Sequence, residues 1–359
     1  MFTKTRNLWV LALLIPLTLG IVLSGCKDDE DECPVVDYTA IDAKIQEAQN
    51  LHDGAVEGTE PGQYEAGSKA TLQTAIDNAE AVRNTNCVTQ QQLDNATQQL
   101  TQAMEDFEDK KITEVAPENI VANYLMNGNA TDASGNGHDG TIKEGYVQNG
   151  SGTIAPTEDR FGAADHAYKF SGGSNIEIPT SPDLNPADLS IVTWIKLDET
   201  WAHNYFISLD IWNCWKFQVQ DANKPFFTRK ILKDDGSGDN AWIDKDSNAG
   251  ILTNDTWHHI AVTYTSGHMR FYIDGVETQH WDDFPTGTPV DPNPAVNMVI
   301  GQALPSDVYN DTPGDPYEWK EWLGYLKGSL DDLKIYNITL TGAQVNSIYM
   351  WEKDNQIVE

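Results

Sequence analysis

The stretch DTWHHIAVTY, residues 255–264, sets two histidines side by side between a tryptophan and an apolar run. Read as a strand, it alternates. His258, Ile260, Val262 and Tyr264 share one face, while His259, Ala261 and Thr263 share the other. The two imidazoles therefore point in opposite directions and cannot ligate one metal, because a zinc pair needs an i, i+2 spacing on a strand or a helical spacing. The stretch predicts a scaffold strand.

The same period of two recurs on either side of it, in LSIVTWIKL (189–197), WKFQVQ (215–220) and MRFYIDG (269–275). Turn signals such as SGNG, SGG and DG separate the runs, which predicts an all-β sandwich over residues 113–359. Upstream the period changes to 3.6. Ile41, Ile45, Ala48 and Leu51, then Leu72, Ile76, Ala79 and Val82, then Leu93, Leu100, Met104 and Phe107 mark three helices within residues 37–112. Thr89 with Gln92 predicts a capping box for the third. Composition supports the boundary, since ten of the eleven tryptophans follow Thr113 and none lies between Asp37 and Lys111.

Five motifs in order carry a resemblance: DASGNGHDGTI (132–142), AYKFSGGSNIEIP (167–179), LSIVTWIKL, DTWHHIAVTYTSGHMRFYIDG (255–275) and GSLDDLKIYNITLTGAQVNSIY (328–349). The region resembles the LamG-like jelly rolls of the concanavalin A-like lectin and glucanase superfamily. The resemblance implies a mainly β, jelly-roll β-sandwich with the tryptophan of WHHIAVTY packed inward. GTEPGQYEAGSKATLQTAI and VTQQQLDNATQQLTQAMEDF resemble the FIVAR-like helical modules of bacterial surface proteins, which serve as spacers or accessory binding domains. Glucanases of this fold place two glutamates and an aspartate on one strand, with nucleophile and acid about 5.5 Å apart. No such pattern occurs between residues 116 and 359, and no nucleophile elbow is present, so the expectation is a protein that is not an enzyme.

Binding of polysaccharide or oligosaccharide remains, and the long polar loops supply its aromatic faces: Trp201, Trp212, Trp242, Tyr317, Trp319 and Trp322. Lys216, Gln218 and Arg229, alternating with apolar residues, are the expected hydrogen-bonding partners. An adhesin that binds protein is the alternative, and a glycoside hydrolase with an unrecognised site a further one. The resemblance also implies a structural calcium ion held by Asp331 of LDDLKIY with the carbonyl of Gly172, the rest of its six to eight oxygens coming from backbone and water.

The N-terminus bears on location. Lys4 and Arg6 precede an apolar run from Leu8 to Val22, short for a membrane span, that closes on LSGC. It resembles a lipoprotein signal peptide over residues 1–25, with Cys26 acylated. An acidic tether follows at residues 26–36, similar to the tag that directs Bacteroidota-type lipoproteins to the outer face of the outer membrane, beside possible glycan-uptake partners. The formal charge of −32, or −34 without Lys4 and Arg6, disfavours nucleic acid. Of the remaining cysteines, Cys33 and Cys87 fall at the same end of an up-down-up bundle and are expected to form a disulfide, while Cys214 reads as a small buried residue.

Overall fold

The computed structural model describes residues 33–58, 61–146, 151–248, 252–309 and 323–355. Cys26 and the segment before it, and the aromatics Tyr317, Trp319 and Trp322, lie outside the described residues.

Three helices come first among the described residues: α1 (Thr39–Gly54), α2 (Ser68–Arg83) and α3 (Gln90–Glu108). Their 3.6-residue stripes converge, burying Ile41, Ala48, Leu72, Ile76, Ala79, Leu93, Leu100 and Phe107. Ile45, Leu51, Val82 and Met104 complete the contact at its margins. The α3 start is fixed reciprocally, since the Thr89 hydroxyl accepts from the Gln92 amide and the Gln92 side chain accepts from the Thr89 amide. Cys33 and Cys87 form a disulfide with Cα atoms 4.6 Å apart, tying the residues before α1 to the α2–α3 connection.

From Ile120 onward the described residues form sixteen strands. The first six are β1 (Ile120–Tyr124), β2 (Thr141–Lys143), β3 (Ala155–Thr157), β4 (Ala167–Phe170), β5 (Asn175–Ile178) and β6 (Leu189–Leu197). The middle of the chain adds β7 (Asn204–Leu209), β8 (Trp215–Gln220), β9 (Lys224–Lys233), β10 (Asn240–Asp246) and β11 (Trp257–Thr265). The last are β12 (His268–Ile273), β13 (Val276–Trp281), β14 (Gly287–Pro289), β15 (Met298–Ile300) and β16 (Gly328–Tyr336), followed by helix α4 (Gly342–Glu352). They pair into two antiparallel sheets. The first runs β13-β12-β11-β6-β16-β4-β3 with β1 also on β16, and the second runs β10-β9-β8-β7-β15-β5-β2 with β14 on β9. The chain passes between sheets repeatedly, so sequence neighbours such as β5 and β6 lie in different layers, as in a jelly roll.

Alternation sorts the side chains. Ile191, Ile195, Ile260, Val262, Leu330 and Ile335 of the first sheet meet Phe206, Ile207, Trp215, Phe217, Phe227 and Ile300 of the second in one apolar core. The stretch 255–264 takes the predicted parity: Ile260, Val262 and Tyr264 enter this core, whereas Ala261 joins Val192, Tyr272, Tyr336, Val345 and Ile348 beneath α4. The first sheet is thereby covered on both faces, which is why all nine residues of β16 are buried. The tryptophans divide. Trp215 fills the core with its indole N–H on the Leu184 carbonyl at 3.0 Å. Trp194 is buried on the α4 side. Trp257, expected inside, is half-buried at the start of β11 with the Lys196 ammonium 5.0 Å from its ring.

The disulfide closes a loop with a sequence separation of 54, for which chain entropy gives up to about 4 kcal/mol of stabilisation. Cys87→Ser, or reduction of the wild type, is therefore expected to lower the unfolding temperature of the helical module. Two resolved transitions in calorimetry would show it, with the sandwich transition unmoved.

Candidate functional site

The outer face of the second sheet gathers several of the predicted residues. In β8, Trp215, Phe217 and Val219 point to the core, so Lys216 and Gln218 point outward. Cross-strand register carries this face to Phe226, Thr228 and Lys230 of β9 and to Trp242, Asp244 and Asp246 of β10. Trp212 sits in a short turn, Ile211–Asn213, that leads into β8. Its carbonyl accepts the Trp242 indole N–H at 2.7 Å, joining the two tryptophans. Trp242 is 50% exposed, and the Lys230 ammonium lies 5.1 Å from its ring centre. Trp212 is half-buried.

Lys216 and Gln218 do not reach solvent, being 1% and 2% exposed. The Lys216 ammonium donates to Gln218 Oε1 and is boxed by the rings of Tyr205, Trp212 and Phe226, with centres at 4.9, 4.8 and 4.6 Å. These two residues support the platform from beneath rather than contacting a ligand from above. Tyr205 belongs to the aromatic-rich DETWAHNYFISLDIWN segment (198–213), but Lys230 and Phe226 escaped the sequence reading, although KPFFTRK alternates in a way that places them together.

Two other expectations require correction. Arg229 is a core residue. It shares the inner face with Phe227 and Ile231, donates to Asn185 Oδ1 at 3.1 Å and to the Pro186 carbonyl, and lies 4.9 Å from the Tyr264 ring. Burial pulls its guanidinium below its ordinary value. Trp201 belongs elsewhere. It precedes β7 whereas Trp212 follows it, so a strand length of roughly 20 Å separates them. Trp201 packs on Tyr325, with the Lys327 ammonium 4.0 Å from its ring.

The calcium expectation meets a different occupant. Gly328 pairs with Phe170, so Asp331 lies at the Ala167 end of β4 whereas Gly172 lies in the turn beyond its other end; the length of β4, roughly 10 Å, keeps them apart. The Gly172 carbonyl accepts from the Gly152 amide at 2.8 Å. Asp331 and the adjacent Asp332 both hold Nη1 of Arg160, at 2.5 and 2.7 Å, and Arg160 Nε donates to the Glu352 carbonyl at 2.9 Å. A guanidinium already occupies the position between these carboxylates, and a donor set holding a cationic side chain does not fit calcium.

The paired histidines have separate structural tasks. His258 Nδ1 meets Asp274 Oδ2 at 2.8 Å, and its Nε2 lies 3.0 Å from Thr253 Oγ1. The composition is that of a hydrolytic triad, but the Thr253 amide also donates to Nε2 at 3.2 Å. The ring is thus a staple from the approach to β11 to the β12–β13 turn, where Asp274 and Gly275 both take positive φ (51° and 75°). His259 is fully buried, packs edge-on to Trp194 at 5.5 Å, and is pushed down to about 4 by burial, which keeps it neutral at physiological pH. Cys214 is buried as expected, and burial raises its thiol well above its ordinary range.

Comparison with known proteins fits this architecture. Residues 170–346 match the family model of the concanavalin A-like lectin/glucanases superfamily, and the sandwich belongs to that family. Residues 37–108 match the FIVAR domain, so the chain joins a FIVAR module to a concanavalin A-like sandwich. A gellan lyase from a Bacillus species is 37% identical over 77 residues, covering 21% of this chain and 3% of the lyase; the chain spans a small fraction of that relative. Domain 4 of AbnA, a GH43 extracellular arabinanase from Geobacillus stearothermophilus, solved with arabinotriose, is 24% identical with a TM-score of 0.45, over 64% of this chain and 98% of that one. The receptor binding domain of botulinum neurotoxin type G is 14% identical with a TM-score of 0.41, over 65% of this chain and 51% of that one.

Arg160 generates a prediction. Asp331 and Asp332 are both held above the ordinary carboxylate range, chiefly by burial, Asp332 at about 7. Groups raised in this way favour the fold when protonated and penalise it as pH climbs from about 4 to about 7. Arg160→Met removes their contacting cation and is expected to cost about 3–5 kcal/mol at pH 8, a loss that shrinks on acidification toward pH 5. Chelator is expected to leave the wild-type unfolding temperature unchanged; a drop would place a metal here after all.

Proposed function

We propose that the protein is a non-catalytic, surface-exposed lipoprotein that captures polysaccharide through the outer face of its second sheet. The observation that carries this reading is Trp242. Half of it is exposed on a flat strand, and its indole N–H is fixed by the Trp212 carbonyl, so the ring is presented to solvent in one orientation. A rigid aromatic face stacks on the C–H side of a sugar ring with little ordering cost. The membership of the sandwich in a lectin and glucanase superfamily supports the same reading. The Asp244 carboxylate, which accepts from the Thr228 hydroxyl at 2.7 Å, and the Lys230 ammonium flank the ring and suit sugar hydroxyls.

Acylation of Cys26 would anchor the chain in the outer membrane, the acidic tether would hold the modules clear of it, and the FIVAR module would act as a spacer. Single-site affinity is expected to be micromolar or weaker, with many copies on one cell supplying avidity.

Affinity gels cast with a panel of polysaccharides test the reading. Trp242→Ala is expected to weaken retention at least roughly tenfold, or 1.4 kcal/mol, while leaving the unfolding temperature within a degree or two. Retention by no glycan in the panel, with capture of a protein ligand instead, would give precedence to the adhesin reading. Incorporation of a labelled fatty acid, lost in Cys26→Ala, tests the anchor separately.

A further inference from the structure

Lys216 is a fully desolvated cation on the outer face of the second sheet, and the apolar core on the other face does not use it. Its side chain projects from the outer face, away from Trp215 and Phe217, and is 1% exposed. It donates to Gln218 Oε1, and no carboxylate among the described residues forms an ion pair with it. An apolar side chain would fill the same box without the desolvation penalty of an ammonium. What opposes that penalty is the ring faces of Tyr205, Trp212 and Phe226 around Nζ, since a desolvated ammonium is attracted to the negative face of an aromatic ring.

Two contacts then run in series. The ammonium holds the Trp212 ring at 4.8 Å, and the Trp212 carbonyl holds the Trp242 indole at 2.7 Å. We infer that Lys216 is the positioning residue of the Trp212–Trp242 platform, and that the charge on its ammonium controls how firmly the exposed ring is presented. This rests on the glycan-binding reading above and adds its regulation: the grip on sugar responds to pH.

The surroundings set the direction. Burial pushes Lys216 down to about 7, and the carboxylates of Asp244 and Asp246 on β10 oppose that fall. Asp246 is itself raised by burial and stands 3.9 Å from Lys224 of β9. Tyr205 of β7 is held far above its ordinary value by burial and stays neutral, while Trp212, Phe226 and Gln218 do not titrate. Lys216 is therefore charged at pH 6 and largely neutral above pH 8, and its hold on Trp212 is strongest in mild acid.

Two readouts on the full chain test this. The first is the dissociation constant for whichever polysaccharide the affinity gels identify, measured from pH 5.5 to 9. Wild type is expected to bind roughly tenfold more weakly at pH 9 than at pH 6. Lys216→Met should bind weakly with a flat profile. Lys216→Arg, whose guanidinium stays charged and stacks on rings, should retain binding with a flat profile. The second readout needs no ligand: the Trp242 indole N–H resonance in ¹⁵N-indole-labelled protein should shift with a midpoint near pH 7 in wild type and not in Lys216→Arg. A pH-independent indole signal that Lys216→Arg leaves unchanged would overturn the inference, as would a flat wild-type binding profile. If no polysaccharide binds, the glycan reading fails alone, and the indole titration still decides the role of Lys216.

Discussion

Buried charge under α4 is the constraint on which the sandwich depends. β16 is central in the first sheet and hidden on both faces, yet it carries Asp331, Asp332 and Lys334. Unpaired, each buried charge would carry an uncompensated desolvation cost of about 3–5 kcal/mol. Their partners arrive from distant parts of the chain: Arg160 from the segment before β4, Glu352 from the end of α4, and Glu114 from the connection into β1. Lys334 bonds Glu114 and Glu352 at 2.8 Å each, and Glu352 also takes the Trp194 indole N–H at 2.8 Å. One set of contacts therefore fixes where α4 ends, where the chain enters the sandwich and how Trp194 lies. The second sheet is left with an outer face that α4 does not touch, and the aromatic platform stands there.

A local irregularity makes this cluster possible. Asp331 pairs with Trp194 and Lys334 with Val192, so β16 spends three steps where β6 spends two. The extra residue is a bulge, with Asp332 at φ 46°. Without it, successive aspartates would face opposite sides of the sheet and one would enter the core. The alternation of LDDLKIY on its own does not reveal a bulge. The calcium expectation for Asp331 came from the resemblance alone, and no spacing in the sequence pointed to Arg160.

The same physics separates what was legible from what was not. Periods within one strand were readable: the two faces of residues 255–264, the outward Lys216 and Gln218, the three helical stripes and the Thr89 cap all follow from spacing inside a single element. Parity between strands was not. Lys216 and Arg229 share a face only if the turn joining β8 to β9 has one particular length. The chain instead makes a three-residue turn, Asp221–Asn223, with Ala222 and Asn223 at positive φ, and sets Gln220 opposite Lys224. That register aligns Trp215 with Arg229 and sends the arginine inward. A turn one residue longer or shorter would have reversed the outcome, and turn length is the part of a hairpin that composition specifies least.

The tryptophans of this acidic chain follow a common pattern that bears on how exposed rings should be read. Lys327 lies over Trp201, Lys216 over Trp212, Lys230 over Trp242, Lys196 over Trp257 and Lys245 over Trp281, each with the ammonium within about 5 Å of the ring centre. A lysine stem shields apolar ring surface while its head stays polar, so a tryptophan in a polar loop need not await a ligand. Trp201 illustrates this, since Lys327, Tyr325 and His203 all lie against its ring. Loop tryptophans are therefore a weaker sign of sugar binding here than their number suggests. Trp242 departs from the pattern because it stays half exposed after Lys230 has approached it, and because its edge is pinned by a backbone carbonyl rather than left to rotate. Exposure together with fixed orientation, more than aromatic content, distinguishes a binding surface from a shielded ring.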